Sequence, residues 1–157
     1  MLNEDLKATI TELVPGATFE EGSDSVTKGW INLNIEANNW LSVATQLRND
    51  FSLQFDYLFC LTCIDWKTHL TMVYHLSSTK FRHNIVIKST LDRNNPEIES
   101  VCHIWRTANF HEREVYEMFG VNFLNHPDLR LLILPDGWEG KNPMRKDFED
   151  PVNMIRL

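Results

Sequence analysis

Glycine is scarce in this chain, six in 157 residues, and none falls in a G-x-G-x-x-G, G-x-x-x-x-G-K or G-x-S-x-G arrangement. That removes the backbone cradles for dinucleotides and nucleoside triphosphates, and the nucleophile elbow of a serine hydrolase. Positive charge is also short: 15 Lys and Arg stand against 22 Asp and Glu, for a net charge of -7. A general nucleic-acid binder needs a cationic surface to displace counterions from phosphates, so this balance argues against one. The longest apolar runs, Tyr57 to Ile64 and Leu131 to Pro135, fall far below the about 20 residues of a membrane-spanning helix. Met1-Leu2-Asn3-Glu4-Asp5 is acidic and lacks the basic-then-apolar order of a secretory signal, so cytosolic residence is expected. Cysteines number three, two of them inside a strand-like run; reduced thiols fit better than a disulfide framework.

What is present is the balance of an ordinary folded domain, 43% hydrophobic and 24% charged, with enough length for one core. Leu2, Leu6, Ile10 and Leu13 recur at helical spacing, Glu4 and Asp5 suit a first turn, and Pro15-Gly16 ends the pattern. A Gly/Ser/Asp turn at Glu21 to Ser25 then leads to alternation from Trp30 to Ile35, which predicts a half-buried strand. Trp40, Ala44, Leu47 and Phe51 return to the helical period, with Asn38 or Asn39 as cap. Phe55–Asp65, Leu70–Leu76 and Asn84–Thr90 read as three strands of an antiparallel meander. Asn95-Pro96 looks like a cap and first turn for a third helix bearing Ile98, Val101, Cys102 and Trp105. Asn109 and Glu112 have capping-box spacing for a fourth, from about Phe110 to Phe119, which Gly120 would close. The fold expected is α+β: a single domain with a mixed, mostly antiparallel sheet packed with helices over residues 1–120. Residues 121–157 are expected to form an extended, irregular C-terminal tail of the same unit, broken by Pro127, Pro135, Pro143 and Pro151.

Chemistry-bearing patterns are few. Cys60 and Cys63 have C-x-x-C spacing, but on a strand residues three apart face opposite sides and no second pair completes four ligands. Core cysteines are the simpler reading. His111-Glu112-Arg113-Glu114 lacks the second histidine of a zinc hydrolase. Glu112, Arg113, Glu114 and Glu117 make a dense charged cluster on one short helix. It reads as a solvated face with a weak Arg113–Glu117 pair, as an acid and base couple, or as an organiser of the tail through carboxylate–arginine bonds to Arg130 or Arg145. The third reading is preferred, because an irregular tail needs partners for its backbone.

Ala108-Asn109-Phe110-His111-Glu112-Arg113-Glu114-Val115-Tyr116-Glu117-Met118-Phe119-Gly120-Val121, then His126-Pro127-Asp128-Leu129-Arg130 and Arg145-Lys146-Asp147, closely resembles the signature of the 30 kDa subunit of respiratory complex I, in bacteria the C-type subunit of NADH-quinone oxidoreductase. Two departures stand out. Leu131 occupies a place where the family often has a second arginine, and Glu139 to Arg145 is one residue longer than usual around Lys141-Asn142. The resemblance implies a non-catalytic peripheral-arm subunit of a proton-translocating complex that carries electrons from NADH to quinone. It implies no catalytic, cofactor or metal site on this chain, although the complex uses FMN or another electron-input cofactor, iron-sulfur clusters and quinone. Its partners would be the 49 kDa (D-type) subunit and other peripheral-arm subunits, on the cytoplasmic side of the bacterial cell membrane. The chain ends soon after Asp147, so a separate subunit, not one fused to the 49 kDa type, is expected. Signature positions with an expected structural or interface role are Glu112, Arg113, Glu114, Glu117, His126, Pro127, Arg130, Trp138, Arg145, Lys146 and Asp147. The alternatives are the equivalent subunit of a ferredoxin-fed complex or membrane-bound hydrogenase, and a stand-alone carboxylate hydrolase.

Overall fold

A computed structural model describes residues 3–20, 29–150 and 152. The expected turn at Glu21 to Ser25, and Leu2 of the first apolar stripe, lie outside the described residues. The chain runs through α1 (Asn3–Leu13), β1 (Thr18–Phe19), β2 (Ile31–Asn34), a 3-10 turn at Ala37–Asn39, α2 (Trp40–Asn49), β3 (Tyr57–Asp65), β4 (His69–Ser77), β5 (Asn84–Asp92), β6 (Glu97–Glu99), α3 (Ala108–Phe119) and β7 (Asn122–Leu124). The expected α+β class with a mixed, mostly antiparallel sheet is what forms. The main sheet has the order β1-β2-β5-β4-β3.

The meander over β3, β4 and β5 is antiparallel throughout, because short connections leave each strand beside the previous one. The parallel pairing of β2 with β5 is a finding local pattern does not give. It is a long-range crossover, and it leaves β2 buried on both faces, with even Asn32 only 7% exposed. The core gathers Leu33, Met72, Tyr74, Leu76, Ile85 and Ile87 of the sheet, fully buried with Leu6 and Ile10 of α1 and Trp40 and Leu47 of α2. Trp40 stacks tilted on Tyr74 at 4.3 Å and approaches Trp105 at 6.2 Å. Phe51 does not join this core. The helix ends at Asp50, whose carboxylate takes the amides of Ser52 and Leu53, and that turn throws Phe51 outward.

Three expected features are corrected. Ile98 to Trp105 is not a helix: Glu97–Glu99 forms β6, which pairs in parallel with β7, and turns carry the chain from Val101 to Trp105. Ile98, Val101 and Trp105 are buried there, so the helical spacing came from turn-directed burial. Nor does a capping box start the signature helix. It begins at Ala108, Asn109 lies inside it, and the Glu112 side chain is turned to other donors. Likewise no side-chain cap from Asn39 opens α2; the 3-10 turn leads into it directly. Gly120 closes α3 as expected, at φ 75°, with its amide bonded to the Tyr116 carbonyl at 2.9 Å. A methyl group on Gly120 would meet the Asn142 side chain at 2.7 Å, so the helix end also needs glycine for space.

Candidate functional site: a helix that holds a strap

Amphipathicity places Val115 and Phe119 of α3 in the core, and the same helix buries three charges, Glu112, Arg113 and Glu117. Such groups persist inside only when their hydrogen bonds are met. Each finds partners, and for Arg113 and Glu117 these are peptide groups of residues 125–148, here called the strap. Arg113 donates through Nε to the Arg130 carbonyl at 3.1 Å and through Nη2 to the Leu131 carbonyl at 2.8 Å. Glu117 accepts from the amides of Leu132 at 2.8 Å, Ile133 at 3.0 Å and Leu134 at 3.2 Å. The charged cluster therefore organises the tail, but not by the expected carboxylate–arginine bonds. A strap without a strand partner exposes unmet carbonyls and amides, and an arginine and a glutamate one helical turn apart supply both complements. The weak Arg113–Glu117 pair of the solvated-face reading gives way to these backbone bonds.

A second grip lies at the far end of the strap. Met144 N donates to the Met118 carbonyl and Arg145 Nε to the Phe119 carbonyl, two groups left open where α3 ends. Asp65, at the end of β3, takes Arg93 in a two-pronged bond at 2.9 Å on each oxygen, the Lys146 amide at 2.9 Å and the Lys67 amide at 2.8 Å. Arg93 reaches on to Asp147 at 2.6 Å. The Arg93 guanidinium first, then the two amides, hold the Asp65 carboxyl well below the usual carboxylate range. Between the grips the strap serves its own backbone through turn bonds from Trp138 to Pro135, Lys141 to Trp138, Arg145 to Asn142 and Phe148 to Arg145. The proline-broken segment is thus a run of turns. The Lys141-Asn142 turn lies there, with Asn142 at φ 49° and Lys141 Nζ 4.3 Å from the Trp138 ring.

Glu112 serves the start of the site differently. Its oxygens accept from Ser100 Oγ at 2.5 Å and Val101 N at 2.8 Å, and His126 Nε2 stands 3.7 Å away. The Asp128 amide donates to His126 Nδ1, so the proton sits on Nε2, where it faces the Asn109 carbonyl at 3.2 Å. Cys102, Glu112 and His126 bring ligand atoms within 4.8 Å of one another. Within this trio His126 Nε2 and the Glu112 carboxylate stand 3.7 Å apart, while each is hydrogen-bonded elsewhere, Glu112 to Ser100 and Val101 and His126 to the Asn109 carbonyl and the Asp128 amide. Cys63 is buried and Cys60 half-buried on the strand, both reduced; burial pushes the Cys63 thiol up to about 12.

Desolvation raises the Glu112 carboxyl to about 7, against the opposing pull of Ser100 and Val101. A carboxyl raised above its unfolded value stabilises the fold fully below about pH 4.3, and that contribution is lost as pH rises through the folded value near neutrality. The cost of ionising it inside the fold is about 3 kcal/mol. Glu112→Gln should therefore raise the melting temperature at pH 8 and change it little at pH 5. Thermal melts across that range check this; a variant less stable at pH 8 than the wild type would refute it.

Of the signature positions, Glu112, Arg113, Glu117, His126, Arg145, Lys146 and Asp147 converge on the strap contacts above. Arg130 contributes its carbonyl there, while its side chain pairs with exposed Asp128. Trp138 packs on Phe148 at 6.3 Å, and Pro127 lines a shallow groove with Phe110 and Cys102. Glu114 is the exception: it is exposed and makes no hydrogen bond or ion pair among the described residues. Sequence reading missed Asp65, Arg93 and Ser100. An aspartate closing an apolar strand was a usable signal for the first; nothing local marks the other two.

These features define a class: an α+β scaffold whose buried charges hold a C-terminal strap across its own helix end and sheet edge. The chain belongs to the family described as the 30 kDa subunit of respiratory-chain NADH dehydrogenase, whose profile matches residues 33–152. It is 37% identical over 143 residues to the C-type subunit of F(420)H(2) dehydrogenase from Methanosarcina mazei, covering 90% of this chain and 88% of that one. Over 104 residues, 65% of this chain, it is 46% identical to the C/D-type subunit of NADH-quinone oxidoreductase from Phocaeicola vulgatus. It spans only 20% of that relative's length and 48% of the C-type subunit of the same oxidoreductase from Chloroherpeton thalassium. In fold it is similar to a chain of the membrane-bound sulfane sulfur reductase, an archaeal respiratory complex, with a TM-score of 0.79 at 24% identity over 94% of this chain and 85% of that one. The trypsin-resistant fragment (1-134) of Nqo5 gives 0.68 at 22% identity, over 82% of this chain and all of that one. Among the described residues no helix is long and apolar enough to cross a membrane.

Proposed function

We propose that this chain is a structural subunit of the peripheral arm of a complex I type electron-transfer complex, and that its strap is the surface offered to the 49 kDa type subunit. The observation that carries the reading is the way the strap is gripped. Its peptide groups turn inward to Arg113 and Glu117, while the Leu132 and Ile133 side chains remain 37% and 62% exposed. Adjacent exposed aliphatic side chains on a rigid support are the ordinary core of a subunit contact. The C/D-type relative supports the partner, since there the two names belong to one polypeptide. On this reading the chain sits peripherally at the cytoplasmic face of the membrane, its net charge of -7 suits basic partner surfaces, and FMN, clusters and quinone belong to other subunits.

A second reading concerns the electron donor. The Methanosarcina mazei relative is named for F(420)H(2), not NADH, and matches this chain over nearly its whole length. The family is thus found under names of different electron input, which keeps a ferredoxin-fed or hydrogenase-type complex as the alternative. Affinity purification of the tagged chain from detergent-solubilised membranes tests both. The 49 kDa type subunit should co-purify, and a nucleotide-binding flavoprotein subunit would indicate NADH input; recovery of the chain alone would refute the proposal.

Arg113→Ala gives a sharper check. It frees no carboxylate, as a side-chain pair would, but strips the donors from the Arg130 and Leu131 carbonyls, at about 2 kcal/mol. The fraction of chain found in the complex on native gels should fall, with the helix content of the purified chain retained. Normal assembly would count against a role for the strap.

A further inference from the structure

Among the described residues, Glu114 is the member of the charged cluster that makes no hydrogen bond or ion pair. Glu112, Arg113 and Glu117 are buried and hydrogen-bonded, whereas Glu114 is exposed and unpaired among the described residues. It stands on the rim of a cleft of about 200 Å³ between β3 and α3, whose walls include Cys63, Val115, Met118, Phe119 and Met144. Met144 comes from the strap and is 59% exposed, so the cleft opens on the face where the strap ends. The volume suits one long side chain and is too small for a strand or a helix.

We infer that this cleft receives a lysine or arginine side chain from a partner subunit, with its aliphatic stem along Met118, Val115 and Met144 and its cationic head on the Glu114 carboxylate. The inference rests on the reading of the chain as an assembled subunit and names the chemistry of the contact. Charge complementarity selects the occupant. Any partner that covers the cleft removes water from Glu114, and a desolvated carboxylate without a counter-charge opposes binding. An apolar knob would fill the walls and leave that charge unpaired. A long basic side chain satisfies both surfaces, because its methylenes bury while its head stays polar. The lining thioethers favour such a stem, since they adapt their shape to what enters. Glu114 makes no hydrogen bond or ion pair among the described residues, so its replacement is expected to leave the scaffold intact.

The test is a competition in the whole complex. Tagged Glu114→Arg or Glu114→Gln chain is co-expressed with untagged wild-type chain, and the ratio of the two is read in the purified complex. A separate chain carrying p-benzoylphenylalanine at Met144 is photo-cross-linked in the same complex and the joined peptide sequenced. Glu114→Arg should lower incorporation about tenfold and Glu114→Gln less, in the order expected of an interfacial charge pair. The melting temperatures of the purified variants should match the wild type. The cross-linked peptide should contain a lysine or arginine beside the joined residue. Incorporation of Glu114→Arg at parity overturns the inference, as does a cross-linked peptide with no basic residue. If the wild-type chain itself enters no complex, the assembly reading fails first, and that is seen before any variant is compared.

Discussion

Glu117→Ala should release the middle of the strap and cost about 4 kcal/mol, since three neighbouring amides lose a charged acceptor at once. Water reaches the strap from outside, which keeps the loss below the sum of three fully buried donors. Hydrogen exchange at Leu132, Ile133 and Leu134 should accelerate by orders of magnitude while exchange in β4 and β5 changes far less. Glu117→Gln retains one acceptor oxygen and should fall between the two. Unchanged protection at these three amides in the alanine variant would show that something other than Glu117 holds them.

The second large effect is expected at Asp65. Asp65→Ala removes the acceptor of Arg93, Lys146 N and Lys67 N together and leaves an arginine that is only 15% exposed with Asp147 as its remaining carboxylate. The pair is partly buried, so the cost should fall between that of a surface pair and the about 4 kcal/mol of a fully buried one. The far end of the strap should open, exposing Lys141, Arg145 and Lys146 to trypsin, so limited proteolysis reads the change directly. The wild type should show the same weakness in acid. Asp65 is held below its unfolded value, about pH 3.9, so its contribution is complete above that value and is lost as pH falls toward the folded one. Glu112 slopes the opposite way above about pH 4.3. The two carboxyls together place the stability maximum in mildly acidic solution, and denaturant melts from about pH 3 to about pH 8 would locate it. A monotonic rise across that range would contradict the pair.

Much of this was legible from residues and some was not, for physical reasons. The meander was readable because β3, β4 and β5 are consecutive and carry strand-type apolar runs. The parallel partner of β5 was not, since β2 lies far away in sequence and no local pattern encodes which edge it joins. Ile98 to Trp105 misled because buried residues in successive turns can imitate a helical stripe. For the strap the charges were rightly linked to the tail, but the chemistry assigned to them was wrong. Glutamate and arginine in sequence suggest each other, whereas a segment without regular structure offers them peptide groups. Asp65 and Arg93 were missed because they meet the strap only through the fold: Asp65 takes the Lys146 amide 81 residues on, and Arg93 takes Asp147 at a separation of 54.

The grip on peptide groups separates two requirements that most protein surfaces must satisfy with the same atoms. Arg113 and Glu117 touch the backbone from Arg130 to Leu134 and ask little of the side chains there. Attachment is written in the helix, and recognition is left to the strap. A lineage could rewrite Leu131 to Leu134 to follow a drifting neighbour without disturbing the hold, and a designer could graft a new binding sequence onto the same support.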